Sequence, residues 1–228
     1  MRHAATPGDP LIVAHRYGNH IETMLRACSL GADLVEADIH SDRGRLEVRH
    51  TKTMGPVPFL WDRWSLSAGW TPRLLLKDVL QAVPPGCEVM LDLKGRGSRF
   101  PGAVAEAVHE AMGGRPYTVC SQLWNTLVPF YDDPDARVIH SVGSAAALQR
   151  ALPHLEDERF DGISIHKKFL SEPVVRSLLE RVSLVMTWPV NQESELRRLQ
   201  GLGVNGFIID DLALLQRLAE ERRGSSGP

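Results

Sequence analysis

Leu11-Ile12-Val13-Ala14-His15-Arg16 is an apolar run of strand length that ends in an imidazole and a guanidinium. The same arrangement recurs downstream. Asp33-Leu34-Val35 leads into Glu36 and Asp38, Leu46-Glu47-Val48 into His50, and Val89-Met90-Leu91 into Asp92 and Lys94. Short buried strands that each end in an ionisable side chain are how a parallel barrel delivers reactive groups to one rim. The pattern predicts an enzyme, and the residue types point to a metal and a phosphate.

Working outward from these runs, strand-like and helix-like segments alternate with short connections. Strands are predicted at 11–15, 33–40, 88–93, 117–121, 137–141, 162–166, 184–188 and 207–210. Helices are predicted from the first crossover to Leu30, stopped by Gly31, and at 74–83, 103–112, 145–152, 173–181, 193–202 and 212–221. Residues 46–50 form an antiparallel return after the turn at Asp42-Arg43-Gly44, and the Trp-rich stretch 54–70 is expected to be a packed loop rather than a lipid-meeting rim. Eight strand–helix units close most naturally as a single-domain α/β (β/α)8 TIM barrel over residues 11–222, with an N-terminal extension at 1–10 and a disordered tail at 223–228. An open doubly wound sheet is the rival, but no Gly-rich phosphate loop follows the first strand.

Composition narrows the function. A formal net charge of −2 gives no case for nucleic acid, and no apolar run approaches the length needed to cross a bilayer. Cys28, Cys87 and Cys120 are too few and too scattered for a disulfide framework or a zinc knuckle, so the chain reads as reduced and cytoplasmic. Oligomeric state is not legible.

The chemistry rests on side-chain direction. Glu36 and Asp38 are two apart, so a strand projects both to one face while Val35 and Ala37 point into the sheet–helix layer. Asp92 and Lys94 share that spacing. Three carboxylates converging on one mouth repel each other without a cation, and hard oxygen ligands suit Mg²⁺ or Ca²⁺, or else Mn²⁺. A structural ion-pair network with Lys94 and Arg16 is the alternative. His15 and His50 are the candidate acid/base pair. Arg16 and Lys94 are the candidate phosphate-binding cations. His40, His140 and His166 also sit at strand ends, as substrate contacts or packing.

These residues resemble a family. His15-Arg16, Glu36-Ala37-Asp38 and His50 look like the HR…ExD…H signature of the glycerophosphodiester phosphodiesterases. Asp92-Leu93-Lys94 is similar to that family's ExK, Thr187-Trp188-Pro189-Val190-Asn191 to its W-x-V-N segment, and Gly203-Val204-Asn205-Gly206 through Asp210 to its closing strand. The resemblance implies a (β/α)8 barrel and metal-dependent cleavage of a glycerophosphodiester to glycerol phosphate and an alcohol. It makes Glu36, Asp38 and Asp92 metal ligands, His15 and His50 the acid and base, Arg16 and Lys94 phosphate contacts, and Trp188 a pocket wall. The chain departs from the family where Tyr17-Gly18-Asn19-His20 follows His15-Arg16, where Thr51 follows His50, where Asp92 replaces a glutamate, and where Ile209 precedes Asp210. Asn19 is expected to serve as an oxygen ligand or substrate contact in place of a missing glutamate.

Three other readings share the barrel. One is a non-catalytic ligand-binding or regulatory protein. Another is a sphingomyelinase D-like lyase that forms a cyclic phosphate. The third is an aldolase or isomerase with Lys94 as a Schiff-base lysine.

Overall fold

The structure, a computed structural model, describes residues 9–42, 44–53, 59–62, 65–68, 72–95, 100–155 and 161–225. Eight parallel strands form the barrel: β1 (Leu11–Ala14), β2 (Leu34–Asp42), β3 (Glu88–Lys94), β4 (Tyr117–Ser121), β5 (Ala136–Val142), β6 (Gly162–His166), β7 (Leu184–Trp188) and β8 (Gly206–Ile209). Closure comes from β1, which pairs with β8 in the register Leu11↔Gly206 and with β2 in the register Val13↔Leu34.

Around the barrel lie α1 (Ile21–Leu30), α2 (Leu76–Ala82), α3 (Pro101–Met112), α4 (Ala145–Ala151), α5 (Glu172–Leu179), α6 (Glu193–Gly201) and α7 (Leu212–Ser225). The fourth of the eight expected units lacks its helix. Two 3-10 turns, Trp124–Thr126 and Val128–Phe130, connect β4 to β5. Pro129 and the run Asp132-Asp133-Pro134-Asp135 allow no continuous helical hydrogen bonding there. None of the described helices is long and apolar enough to cross a membrane.

Alternation along the strands sorts the core into two layers. Leu11, Val13, Leu34, Met90, Ile139, Met186 and Ile208 fill the barrel interior, while Val35, Ala37, Ile39, Val89, Leu91 and Leu93 pack outward under the helices. The interior positions beyond Leu34 and Met90 are Glu36, Asp38, Asp92 and Lys94, so the apolar plug ends where the charged groups begin. Gly31 ends α1 at φ 102, and a Cβ on it would meet the Ala219 Cβ of α7 at 2.6 Å. Only glycine satisfies both the left-handed cap and that close helix–helix approach.

The excursion between β2 and α2 differs from the expected packed loop. Arg45–Val48 returns antiparallel to β2, and Lys52–Thr53, Phe59–Asp62 and Ser65–Ala68 form a separate three-stranded antiparallel sheet. Phe59 and Trp61 are 38% and 47% exposed rather than packed away. Trp64 and Trp70 lie outside the described residues, as do Arg43 of the predicted turn and most of the N-terminal extension.

Two further expectations are corrected. Cys28 of α1 and Cys87, just before β3, form a disulfide with Cα atoms 5.9 Å apart, which removes the cysteine argument for a reduced chain. The pairing of β2 with β3 brings the start of β3 beside α1, 59 positions away in sequence. The C-terminal helix also continues to Ser225, past the expected boundary at 222, because Arg222 pairs with both carboxylate oxygens of Asp33 at 2.8 and 2.9 Å. Residues 226–228 lie outside the described residues.

Candidate active site

Register places the carboxylates side by side. Asp38 of β2 stands opposite Asp92 of β3, and His40 opposite Lys94. One oxygen from each of Glu36, Asp38 and Asp92 lies within 4.8 Å of the others. Lys94 Nζ sits 3.2 Å from Asp38 Oδ1 and also donates to Asp92 Oδ2. Burial and the neighbouring Asp38 and Asp92 charges hold the Glu36 carboxyl well above its ordinary value. Burial likewise raises Asp92, against the pull of Lys94. At Asp38 burial works upward too, but Lys94 and the Asn19 amide outweigh it and the carboxyl is held low. Lys94 is raised above the ordinary lysine range, since Asp92, Asp38 and Glu36 overcome its own burial.

The crossover after β1 is shaped to serve these groups. Arg16 adopts φ 62, the one positive φ at a non-glycine among the described residues. That turn aims its backbone N–H at Glu36 Oε2, 2.6 Å away. A Cβ on Gly18 would lie 2.8 Å from both the Ala37 Cβ and the Glu36 carbonyl oxygen. The chain therefore comes close enough to β2 for Asn19 to clasp Asp38 twice. Asn19 Nδ2 donates to Asp38 Oδ2, and the Asp38 N–H donates to Asn19 Oδ1, both at 2.8 Å. Asn19 thus spends both polar atoms of its amide on Asp38.

His15 and His50 approach from different sides. The His15 ring nitrogen Nδ1 lies 2.6 Å from Asp210 Oδ1. His50 follows the return strand, whose Arg49 N–H donates to the Asp38 carbonyl at 2.9 Å. Buried Glu47 fixes that strand by accepting from Arg49 Nε at 2.9 Å and Arg73 Nη1 at 2.6 Å. A cavity of about 120 Å³ lies at the centre of the mouth, lined by His15, Arg16, Glu36, Asp92, Lys94 and Trp188 among others. A wider cleft of about 540 Å³ is lined by Asp38, His40, Arg49, His50 and Lys52. Asp92, Lys94 and Gln122 border both spaces.

The remaining histidines divide. His166 stands edge-on to Trp188 with ring centroids 4.9 Å apart, while its Nδ1 accepts from the Lys168 N–H at 3.3 Å. His140 is fully buried, with its Nε2 3.0 Å from the Tyr131 hydroxyl. His40 borders the cleft, and burial together with nearby Arg49 lowers its pKa to about 4, so it is neutral at physiological pH.

The carboxylate set fits a divalent cation. Three carboxylates share a buried space with the Lys94 ammonium, and burial and their mutual repulsion oppose ionising all of them without a further cation. Asp92 Oδ1 is buried without a hydrogen-bond partner among the described residues. All the donors are hard oxygens.

No family model matches the chain, and no curated protein does. Solved structures do. A glycerophosphodiester phosphodiesterase from Thermotoga maritima aligns with a TM-score of 0.72 at 17% identity, covering 92% of this chain and 98% of that one. The fold is that of the glycerophosphodiester phosphodiesterases. An Oleispira antarctica phosphodiesterase, solved in complex with the product sn-glycerol-3-phosphate, aligns at 0.74 and 19% identity over 96% of this chain and 100% of its own. A Parabacteroides distasonis glycerophosphodiester phosphodiesterase aligns at 0.66 and 18% over 95% and 100%.

On this glycerophosphodiester phosphodiesterase fold, two residues join the site that sequence reasoning gave no role. Asp210 receives His15. Asn191 holds Asp210 in turn, through Asn191 Nδ2 to Asp210 Oδ2 at 2.9 Å and the Asp210 N–H to Asn191 Oδ1 at 3.0 Å. Both belong to segments quoted for the resemblance, and a polar pair at the ends of the last two strands was the available signal.

Proposed function

We propose that the barrel mouth is a metal-dependent phosphodiesterase site that cleaves a glycerophosphodiester into glycerol phosphate and an alcohol. The observation that carries this reading is the division of the two imidazoles. His15 borders the small cavity and His50 the cleft, and the two spaces meet at Asp92 and Lys94. A phosphodiester lodged at that junction has one imidazole on each side, which is what in-line displacement at phosphorus asks of an acid and a base. Product binding in the Oleispira phosphodiesterase and the full-length likeness of fold support the same class.

Glu36, Asp38 and Asp92 are the residues that would hold a divalent ion, with Mg²⁺ or Ca²⁺ favoured by the oxygen donors and Mn²⁺ compatible. Such an ion neutralises charge on the phosphoryl oxygens. Asn19 and the Arg16 N–H keep two of the carboxylates oriented before any ligand arrives. Asp210 accepts a hydrogen bond from His15 Nδ1, which leaves Nε2 as the nitrogen that exchanges a proton on the cavity side. Arg16 and Lys94 supply positive charge to non-bridging oxygens, while Trp188, braced by His166, walls the small cavity.

A Schiff-base role for Lys94 is disfavoured. Its carboxylate neighbours stabilise the ammonium, whereas imine formation needs the free amine.

His15→Ala and His50→Ala, assayed for release of sn-glycerol-3-phosphate from glycerophosphodiesters, should each lower turnover by roughly two to four orders of magnitude. Losses below tenfold in both folded variants would remove the acid–base assignment.

A further inference from the structure

His15 leans on Asp210 through its own ring. At His50 the chain itself is gripped, on both sides of the imidazole. We propose that buried Glu47 is a positioning residue for the reaction: through Arg49 it fixes the peptide that carries His50, and with it the place of that imidazole. The inference rests on the phosphodiesterase reading.

One arginine spans the histidine. The Arg49 N–H donates to the Asp38 carbonyl at 2.9 Å, so the near side of His50 is tied to the strand that carries Glu36 and Asp38. The guanidinium then serves two acceptors. Its Nε donates to Glu47 Oε2 at 2.9 Å, and its Nη1 donates to the Thr51 carbonyl on the far side of the histidine. A planar fork can hold both at once, whereas a lysine ammonium presents a single point.

Glu47 anchors this fork from below. It is only 3% exposed, and both of its oxygens also accept from Arg73 Nη1. Arg73 lies 3.8 Å from Asp42 Oδ2 at the end of β2 and directly precedes Leu74–Leu75, which pairs antiparallel with the return strand in the register Glu47↔Leu75. Residues 49–72 therefore leave and re-enter the barrel through one neck, and His50 is the second residue past it. Burial works to raise the Glu47 carboxyl, but Arg73 and Arg49 outweigh it and hold it low, so the brace keeps its charge at neutral pH. These charge-assisted contacts supply direction that an apolar residue at position 47 would lack. Glu47 is not among the described residues that line either space, so a change there reaches the chemistry only through what Glu47 holds.

The test combines glycerophosphodiester kinetics with NMR of the histidine rings. Glu47→Gln keeps an acceptor without the charge, and Arg49→Lys keeps the charge without the fork. Each should lower kcat roughly 10- to 100-fold, the scale of a misplacement of about an ångström, and Glu47→Gln should leave KM within about twofold of wild type. In the His50→Ala background, adding Glu47→Gln should change kcat by less than about twofold, because residues that act as a unit do not add. Independently of turnover, Glu47→Gln should shift or broaden the ring signals of His50 and leave those of His15 in place. Arg49→Lys carries the same arms if Glu47→Gln does not fold. An unchanged kcat, a full loss repeated in His50→Ala, or His15 and His50 signals that move together as in a generally loosened fold would overturn the proposal. If the wild type cleaves no diester, the phosphodiesterase reading falls, and the ring signals still decide whether Glu47 holds His50.

Discussion

The imidazole of His15 and the carboxylate of Asp210 meet at 2.6 Å, joining the ends of the first and last barrel strands across 195 positions of sequence. Barrel closure creates this pair, since β1 and β8 run in parallel register up to Ala14↔Ile209, the residues just before them. Asn191 restrains the carboxylate from the next strand, so the ring is held by two successive hydrogen-bonded contacts.

Asp210→Asn should therefore lower kcat by roughly a hundredfold or more while KM and metal affinity stay near wild type, because the ring loses the acceptor that fixes its tautomer. Steady-state kinetics and metal titration on the same preparation check this. A variant with kcat unchanged would show that Asp210 is only a surface acid.

Asn19→Ala removes both halves of the clasp on Asp38. Divalent-ion affinity should weaken roughly 10- to 100-fold, the usual scale for losing an outer partner of a ligating carboxylate. Isothermal titration of metal-free protein measures it directly, and an unchanged affinity would mean that Asp38 is not a ligand.

Glu36 gives the pH dependence. Its carboxyl is raised by burial and by Asp38 and Asp92, so folded metal-free protein holds that proton more tightly than the unfolded chain does. The resulting stability is full below the ordinary glutamate value and is lost as pH rises through the higher folded value. Asp38 is shifted the other way, and its contribution is lost only as pH falls through its depressed value, so the two windows lie apart. The melting temperature of metal-free wild type should drop relative to Glu36→Gln as pH rises above the ordinary carboxylate range, by roughly 2–4 °C for each kcal/mol involved. Added metal should reverse the gap. Parallel pH curves for the two proteins would contradict the raised carboxyl.

Thiol counting checks the cysteine correction. Denatured, unreduced protein should show a single thiol, Cys120, and all three cysteines after reduction. Three thiols without reductant would refute the Cys28–Cys87 bridge.

The barrel was legible because each core strand is a short apolar run punctuated by charge, and because the period-two alternation of Val35-Glu36-Ala37-Asp38 states which face each residue takes. The carboxylate group and Lys94 followed from that same alternation. What escaped depends on closure and on partners far apart in sequence. The His15–Asp210 pair needs β1 beside β8, and Cys28 meets Cys87 over a separation of 59. The Asn19–Asp38 clasp was not legible because it depends on the close approach at Gly18. The excursion sheet was hidden by its own composition, since exposed Phe59 and Trp61 read as residues to be packed.

The most direct test of the central claim is phosphorus NMR of metal-stripped protein mixed with glycerophosphodiesters, before and after adding Mg²⁺, Ca²⁺ or Mn²⁺. The expected result is silence without metal and conversion with it, giving a phosphomonoester signal, or a cyclic-phosphate signal if a substrate hydroxyl attacks first. Folded protein that converts no diester with any of the three ions, or cleaves equally well without them, would contradict a metal-dependent phosphodiesterase at this barrel mouth.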